Sequence, residues 1–255
     1  MLNYETFGED KTKKPIIIAH GLFGSLKNWR AIAKALADNG RFAVTVDLRN
    51  HGCSFWSEDQ SYKQMASDLK ELVNVFGGSA DIIGHSMGGK VGMSLALMSP
   101  KHITKLIVVD ISPVKYSHNQ LKPLEAMAGL NLGEIKFRKD AEEQLRKNIP
   151  ELGERLFLVQ NLNFRDKENI KWDINLEAIR NNLPNLMDFP HFKKPTYLST
   201  LFIKGSLSNY ITEEHTQKTH QLFPNYKLTT VEGAGHWIHV EKREEFINVI
   251  LKFLC

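Results

Sequence analysis

The sequence predicts an α/β protein in which a mostly parallel sheet carries helices on both faces and a helical cap is inserted late in the chain. Three observations point to it. Strand-like apolar runs alternate with helix-like amphipathic stretches from residue 2 to about residue 112. The runs Ile16-Ile17-Ile18-Ala19 and Ile103 to Val109 have the apolar, β-branched character of strands covered on both faces. From Pro113 to about Pro195 the alternation stops, helical patterns take over, and strand patterns then resume. The expected division is therefore a core over residues 1–112, a cap over 113–195 and the rest of the core over 196–255.

Leu2 to Phe7 alternates weakly and reads as an edge strand, closed by Gly8 and a charged turn through Lys14. Pro15 opens the Ile16 strand, which is expected to be central. The loop His20-Gly21-Leu22-Phe23-Gly24-Ser25 follows, then a helix bearing Trp29, Ile32, Ala33, Leu36 and Ala37 that Gly40 stops. Phe42 to Val46 is the next strand, with Asp47-Leu48-Arg49-Asn50-His51-Gly52 at its carboxyl end. Tyr62 to Phe76 reads as a helix whose face carries Met65, Leu69, Leu72, Val73 and Phe76, and Gly77-Gly78 ends it. Ala80 to Ile83 is a buried strand, Lys90 to Met98 a helix closed by Pro100, and Ile103 to Val109 a strand ending in Asp110.

In the cap, Ala141 to Lys147 and Leu176 to Asn182 are amphipathic helical segments, punctuated by Pro123, Pro150, Pro184 and Pro190. Tyr197 to Ile203 resumes the sheet, Glu213 to Leu222 is a helix, Lys227 to Val231 the last strand and Glu241 to Leu254 a closing amphipathic helix. Right-handed crossovers in such a sheet put the active site beyond the carboxyl ends of the strands.

With 255 residues, of which 42% are hydrophobic and 24% charged, the chain has the composition of a globular protein with a full core. The net charge of +4 is mild and the basic residues are scattered among acidic ones, without the basic stripe of a nucleic-acid binder. Two cysteines, Cys53 and Cys255, are too few for a disulfide framework and lack metal-ligand spacing, so a reduced, cytoplasmic setting is expected. Met1-Leu2-Asn3-Tyr4-Glu5 has no basic head followed by an apolar stretch, and no run of 18 apolar residues suggests a membrane span. Neither phosphate-binding glycine pattern stands at a strand end, so no nucleotide, and no cofactor or metal, is expected.

The chemistry centres on Gly84-His85-Ser86-Met87-Gly88. A G-x-S-x-G pattern between a strand and a helix puts its serine on a turn so tight that both flanking positions must lack a side chain. Ser86 is thus the expected nucleophile, and it needs an imidazole to take its proton. Among ten histidines His236 is best placed, because Gly233-Ala234-Gly235-His236-Trp237 follows the last strand. His239 is its nearest rival, and His85 reads as a packed neighbour.

A buried carboxylate should orient the imidazole. The loop Gly205-Ser206-Leu207-Ser208-Asn209-Tyr210 contains no Asp or Glu, so the acid is expected at Asp110, with Glu213 and Glu214 as fallbacks. The competing account makes Asp110 a turn former ahead of Ser112-Pro113. Backbone N–H groups of Met87 and Leu22 are the expected oxyanion donors, with Phe23 as the near alternative to Leu22. Asp47 to Gly52 reads as a structural loop with Asp47 and Arg49 paired, and nothing marks Cys53 as activated.

His20-Gly21-Leu22-Phe23-Gly24-Ser25, Asp47-Leu48-Arg49-Asn50-His51-Gly52, Gly84-His85-Ser86-Met87-Gly88-Gly89-Lys90, Val109-Asp110-Ile111-Ser112-Pro113 and Gly235-His236-Trp237-Ile238-His239 together resemble the α/β-hydrolase superfamily. More narrowly, they are similar to the YbfF-type bacterial esterases and their mitochondrial eukaryotic relatives. In that group the triad acid follows the sixth strand instead of the seventh, which the resemblance carries to Asp110.

The expected activity is cofactor-independent hydrolysis of a small acyl ester by a serine esterase, acting as a monomer or small homo-oligomer. Acyl-CoA thioester hydrolysis, with Lys115, Lys122, Lys136, Arg138 and Lys139 toward the CoA phosphates, is the closest variant. Carbon–carbon bond hydrolysis uses the same triad, and a non-catalytic ligand binder on the same scaffold is the alternative of a different class. The acyl pocket is expected to be lined by Leu121, Leu124, Met127 and Leu130 of the cap.

Overall fold

The computed structural model describes residues 1–9, 14–117 and 120–255, so most of the charged turn expected before Pro15 lies outside the described residues. Strands β1 (Tyr4–Phe7), β2 (Ile16–Ala19) and β3 (Ala43–Val46) surround helix α1 (Arg30–Asp38) in sequence. Helix α2 (Tyr62–Val75), strand β4 (Ala80–His85), helix α3 (Met87–Met98) and strand β5 (Ile103–Val109) follow. The chain then forms helices α4 (Leu121–Ala128), α5 (Arg138–Arg146) and α6 (Leu152–Val159), a small hairpin of β6 (Leu162–Asn163) and β7 (Lys171–Trp172), and helix α7 (Leu176–Met187). Strand β8 (Thr200–Gly205), helix α8 (Thr216–Leu222), strand β9 (Tyr226–Val231), the short α9 (Ile238–Glu241) and α10 (Arg243–Leu254) complete it.

Among the described residues seven strands form one sheet in the order β1-β3-β2-β4-β5-β8-β9, with β1 antiparallel at its edge and every other pair parallel. The apolar runs explain why it is covered twice. Ile17, Ala19, Val44, Val46, Ile82, Leu106 and Val108 face α2, α3 and the helical insertion. Their neighbours Ile16, Ile18, Ala43, Ile83, Ile107 and Val109 face α1 and α10, where Trp29, Leu36, Phe246 and Ile250 meet them. Period-two alternation thus builds two cores from one set of strands.

Most element boundaries fall within a few residues of their sequence expectations, but Pro184 does not punctuate. It lies inside α7. Both Pro184 and Arg180 are exposed, so the Arg180 carbonyl that loses its helical N–H partner lies on the solvent side, while Ile179, Leu183 and Leu186 hold the other face in the core. The β6–β7 hairpin was not anticipated either. Two-residue strands carry too little alternation to be read.

Among the described residues four non-glycine ones have positive φ: Phe23 (60°), Asn50 (65°), Ser86 (51°) and Asp110 (50°). They fall in the loops beyond the carboxyl ends of β2, β3, β4 and β5, which are neighbours in the sheet. Backbone strain of this kind is concentrated along the one edge where a parallel α/β sheet places its chemistry.

Candidate active site

Ser86 sits between β4 and α3 with φ 51° and ψ −116°. The two flanking glycines are sterically required. A Cβ on Gly84 would come 2.3 Å from Gly88 O, and one on Gly88 would come 2.3 Å from Ala19 O. The serine N–H is held by Val109 O at 3.0 Å, which ties the elbow to the next strand.

Asp110 follows β5 and is fully buried. His236 Nδ1–H donates to Asp110 Oδ2 at 2.8 Å, so the ring presents Nε2 as its basic atom. The sequence reading did not include Ser208, whose hydroxyl donates to the same Oδ2, nor Gly205 N–H, which donates to Oδ1 at 3.3 Å. The loop after β8, chosen against because it lacks a carboxylate, instead supplies donors to the carboxylate of the neighbouring strand. Glu213 and Glu214, the fallback acids, lie in a helical turn leading into α8.

Tyr210 also escaped the sequence reading. Its ring stacks on His236 with centroids 3.8 Å apart and 17° between planes. His85 also approaches His236, with ring centroids 4.6 Å apart, and donates Nε2–H to His236 O at 2.9 Å. His239, the rival base, instead stacks on Trp29 at 4.1 Å. Burial lowers the pKa of His85 well below its ordinary value and that of His239 to about 3. Both therefore stand neutral beside His236, and a cation formed there meets no like charge.

Two more neutral imidazoles shape the loop after β2. His20 Nδ1–H donates to Gly21 O at 2.7 Å, and its Nε2 accepts Leu48 N–H at 3.0 Å. His51 Nδ1–H donates to Arg49 O at 2.9 Å, and its Nε2 accepts Phe23 N–H at 3.3 Å. Desolvation brings their pKa values down to about 4 and about 3. Since Phe23 N–H is engaged, and Gly24 N–H bonds Gly21 O at 3.0 Å, Leu22 remains the candidate donor of that loop beside Met87 at the start of α3.

The expected Asp47–Arg49 pair does not form. Arg49 grips Asp68 of α2 through two bonds of 2.6 and 2.8 Å. Asp47 accepts from Leu26 N–H, Cys53 N–H and the Asn3 amide, because it faces the turn that Gly52 closes and the guanidinium points away. Cys53 is exposed and unpaired with Cys255.

Ser86 and His236 line one cavity of about 250 Å³ with Leu22, Phe157, Leu158 and Trp237. Gln120 and Glu154 add polar groups from the insertion, and burial raises the Glu154 carboxyl above its usual range. A second cavity of about 30 Å³ shares Ser86, Leu22, Gln120 and Tyr210 with it and adds Met87, Lys90 and Tyr62. The expected apolar lining is different. Leu124 and Met127 are fully buried in the core, because α4 turns them inward against α7; Leu121 is exposed, and Leu130, beyond the end of α4, borders a separate groove with Trp172. Among the described residues no cluster of three metal-ligating side chains occurs, and no helix is long and apolar enough to cross a membrane.

The α/β hydrolase fold family matches residues 14–139. The sn-1-specific diacylglycerol lipase ABHD11 of Xenopus tropicalis is 38% identical over 99% of this chain and 82% of its own. Esterase YbfF of Escherichia coli is 32% identical over 98% of this chain and 96% of its own. A solved marine microorganism esterase is 38% identical, superposes with a TM-score of 0.94 and covers 99% of this chain and 98% of its own. From its sheet order to these matches along almost its whole length, the chain belongs to the α/β hydrolase family and is one of its hydrolytic enzymes.

Proposed function

We propose that the protein is a cofactor-independent serine esterase acting through an acyl-enzyme, with residues 113–195 as a cap over the site. The observation that carries this reading is the His236 imidazole, bonded at Nδ1 to buried Asp110 while it lines the same cavity as Ser86. Ser86 Oγ attacks the ester carbonyl, and His236 Nε2 takes the hydroxyl proton. Asp110 stabilises the imidazolium, and Met87 and Leu22 N–H groups hold the oxyanion. Collapse expels the alcohol, protonated by His236, and water then hydrolyses the acyl-enzyme by the same steps.

The relatives' names, lipase and esterase, share the cleavage of carboxylic esters, and the proposal takes that chemistry from them. Thioester cleavage at CoA has weaker support. Arg138, one of the cations expected toward its phosphates, donates to Val159 O at 2.6 Å and Leu162 O at 3.1 Å, and Glu154 lines the cavity.

A chromogenic short-chain ester tests the proposal. A burst of product from the wild type and none from Ser86→Ala is expected; no turnover by the wild type would leave a binding protein on this scaffold. Comparing an acyl-CoA with the matching simple ester checks the thioester alternative.

A further inference from the structure

Lys90 lies one helical turn beyond Ser86 on α3, and the mechanism above gives it no role. It is 1% exposed, yet it carries an ammonium group into the interior. Two of its three N–H bonds are engaged, with Asp188 O at 2.7 Å and Met187 O at 3.3 Å. Among the described residues the third has no acceptor, and no ion pair includes Lys90. The Asp188 carboxylate, next to hand, accepts Phe189 N–H instead. The rings of Tyr116 and Tyr62 flank Nζ with centroids at 4.9 and 5.6 Å.

A buried ammonium without a carboxylate partner is costly, and an apolar side chain of the same length would fill the space without that penalty. Burial pulls the pKa of Lys90 down to about 7, with Asp188 acting weakly in the opposite direction. Such a group is primed for an anion.

The geometry says where an anion would come from. His236 must reach the leaving oxygen to protonate it, so the alcohol departs through the larger cavity, which His236 and Trp237 line. The smaller cavity lacks His236 and adds Met87, one of the proposed oxyanion donors, and Lys90 to the Ser86 and Leu22 that both cavities share. That leaves it for the acyl group. Its volume of about 30 Å³ holds only a short chain.

We propose that Lys90 is the residue that selects the acyl group, its ammonium receiving the anionic end of a short acyl chain, so that half-esters of short dicarboxylic acids are preferred substrates. The proposal rests on the acyl-enzyme reading, and only the identity of the acyl group is new.

The test compares two methyl esters of matched shape by pH-stat titration near neutral pH. Monomethyl succinate ends in a carboxylate, and methyl 4-methylpentanoate carries an isopropyl group in its place. The wild type is expected to favour the half-ester by tenfold or more in kcat/KM. In Lys90→Met that ratio should fall at least tenfold, chiefly through KM of the half-ester, while the neutral ester changes little. Equal preference in the wild type, or a ratio unchanged in Lys90→Met, would overturn it. Should Lys90→Met fail to fold, inhibition of neutral-ester turnover in the wild type decides: succinate should compete, and 4-methylpentanoate should compete at least tenfold less well. Failure of both esters in the wild type would instead strike the esterase reading itself.

Discussion

Asn161 Nδ2–H donates to Phe23 O over 2.8 Å, joining residues far apart in the chain and fastening the helical insertion to the loop that carries Leu22. Asn161 is buried, and the same amide group reaches Leu158 O at 3.2 Å. Asn161→Ala leaves Phe23 O without that donor at a residue whose φ is 60°. Because misplacement of about 1 Å in a reacting geometry lowers rates by as much as ~100-fold, kcat on a short ester should fall tenfold to a hundredfold. The loss in Tm should stay near 2–12 °C, for about 1–3 kcal/mol of lost bonding. Steady-state kinetics beside a melting curve separates the two, and unchanged kcat would show that the tether does not position the donor.

Asp110→Asn keeps the shape of the carboxylate but reverses the hydrogen-bond logic at His236 Nδ1. By the measure of other serine triads kcat should drop by about 10⁴ with KM nearly unchanged. Ser208→Ala removes one donor from the same Oδ2 and should lower kcat about tenfold, the effect of roughly 1.4 kcal/mol. A kcat within twofold of the parent in Asp110→Asn would remove Asp110 from the proposed line, and the same result in Ser208→Ala would show that its hydroxyl does not support that carboxylate.

Buried neutral histidines make acid stability a measurable consequence. His20, His51, His85 and His239 all have folded pKa values below the ordinary 6.5, held down first by desolvation. The unfolded chain binds these protons first, so their stabilisation is fully present above about pH 6.5 and drains away as pH falls toward 4. At pH 5 unfolding should take up close to three protons through His20, His51 and His239, by about one each, with His85 adding to the uptake in the same direction. Calorimetry in buffers of different ionisation enthalpy counts them. His51→Gln should reduce the uptake by about one, and an unchanged count would mean that His51 is already charged in the fold.

The Arg49–Asp68 pair is nearly buried, with side chains 7% and 11% exposed, so halving it strands a charge. Asp68→Leu should lose about 3–5 kcal/mol of stability. For a chain of this size that corresponds to a Tm lower by roughly 6–20 °C. The double variant Arg49→Met with Asp68→Leu should regain much of it. A double variant no better than the single one would assign the loss to packing.

Much of this arrangement is legible in the residues because it depends on local pattern. The Ile16 and Ile103 strands declare themselves by apolar runs, and the Ser86 elbow by glycines that steric contact requires. Asp110 stands out in the sequence because the β5 end carries a carboxylate and the loop after β8 carries none. Ser208 and Tyr210 do not, because a hydroxyl and a ring act here through partners on other strands. Arg49 was assigned to the nearest acid in sequence, whereas Asp68 on α2 is nearer in space. The inward turn of Leu124 and Met127 likewise depends on α7, some fifty residues further along the chain. Periodicity tells which side of a helix is apolar, and only the packed fold tells what that side meets.

The strained φ of 51° at Ser86 implies a trade between turnover and heat resistance. Ser86→Ala keeps the Cβ and the tension with it, whereas Ser86→Gly relaxes a conformation unfavourable to L residues by about 1–2 kcal/mol, against a larger loss of chain entropy for glycine. Of two equally dead variants, the glycine one should melt several degrees above the alanine one, a mark of a hydroxyl kept where the main chain would rather have none.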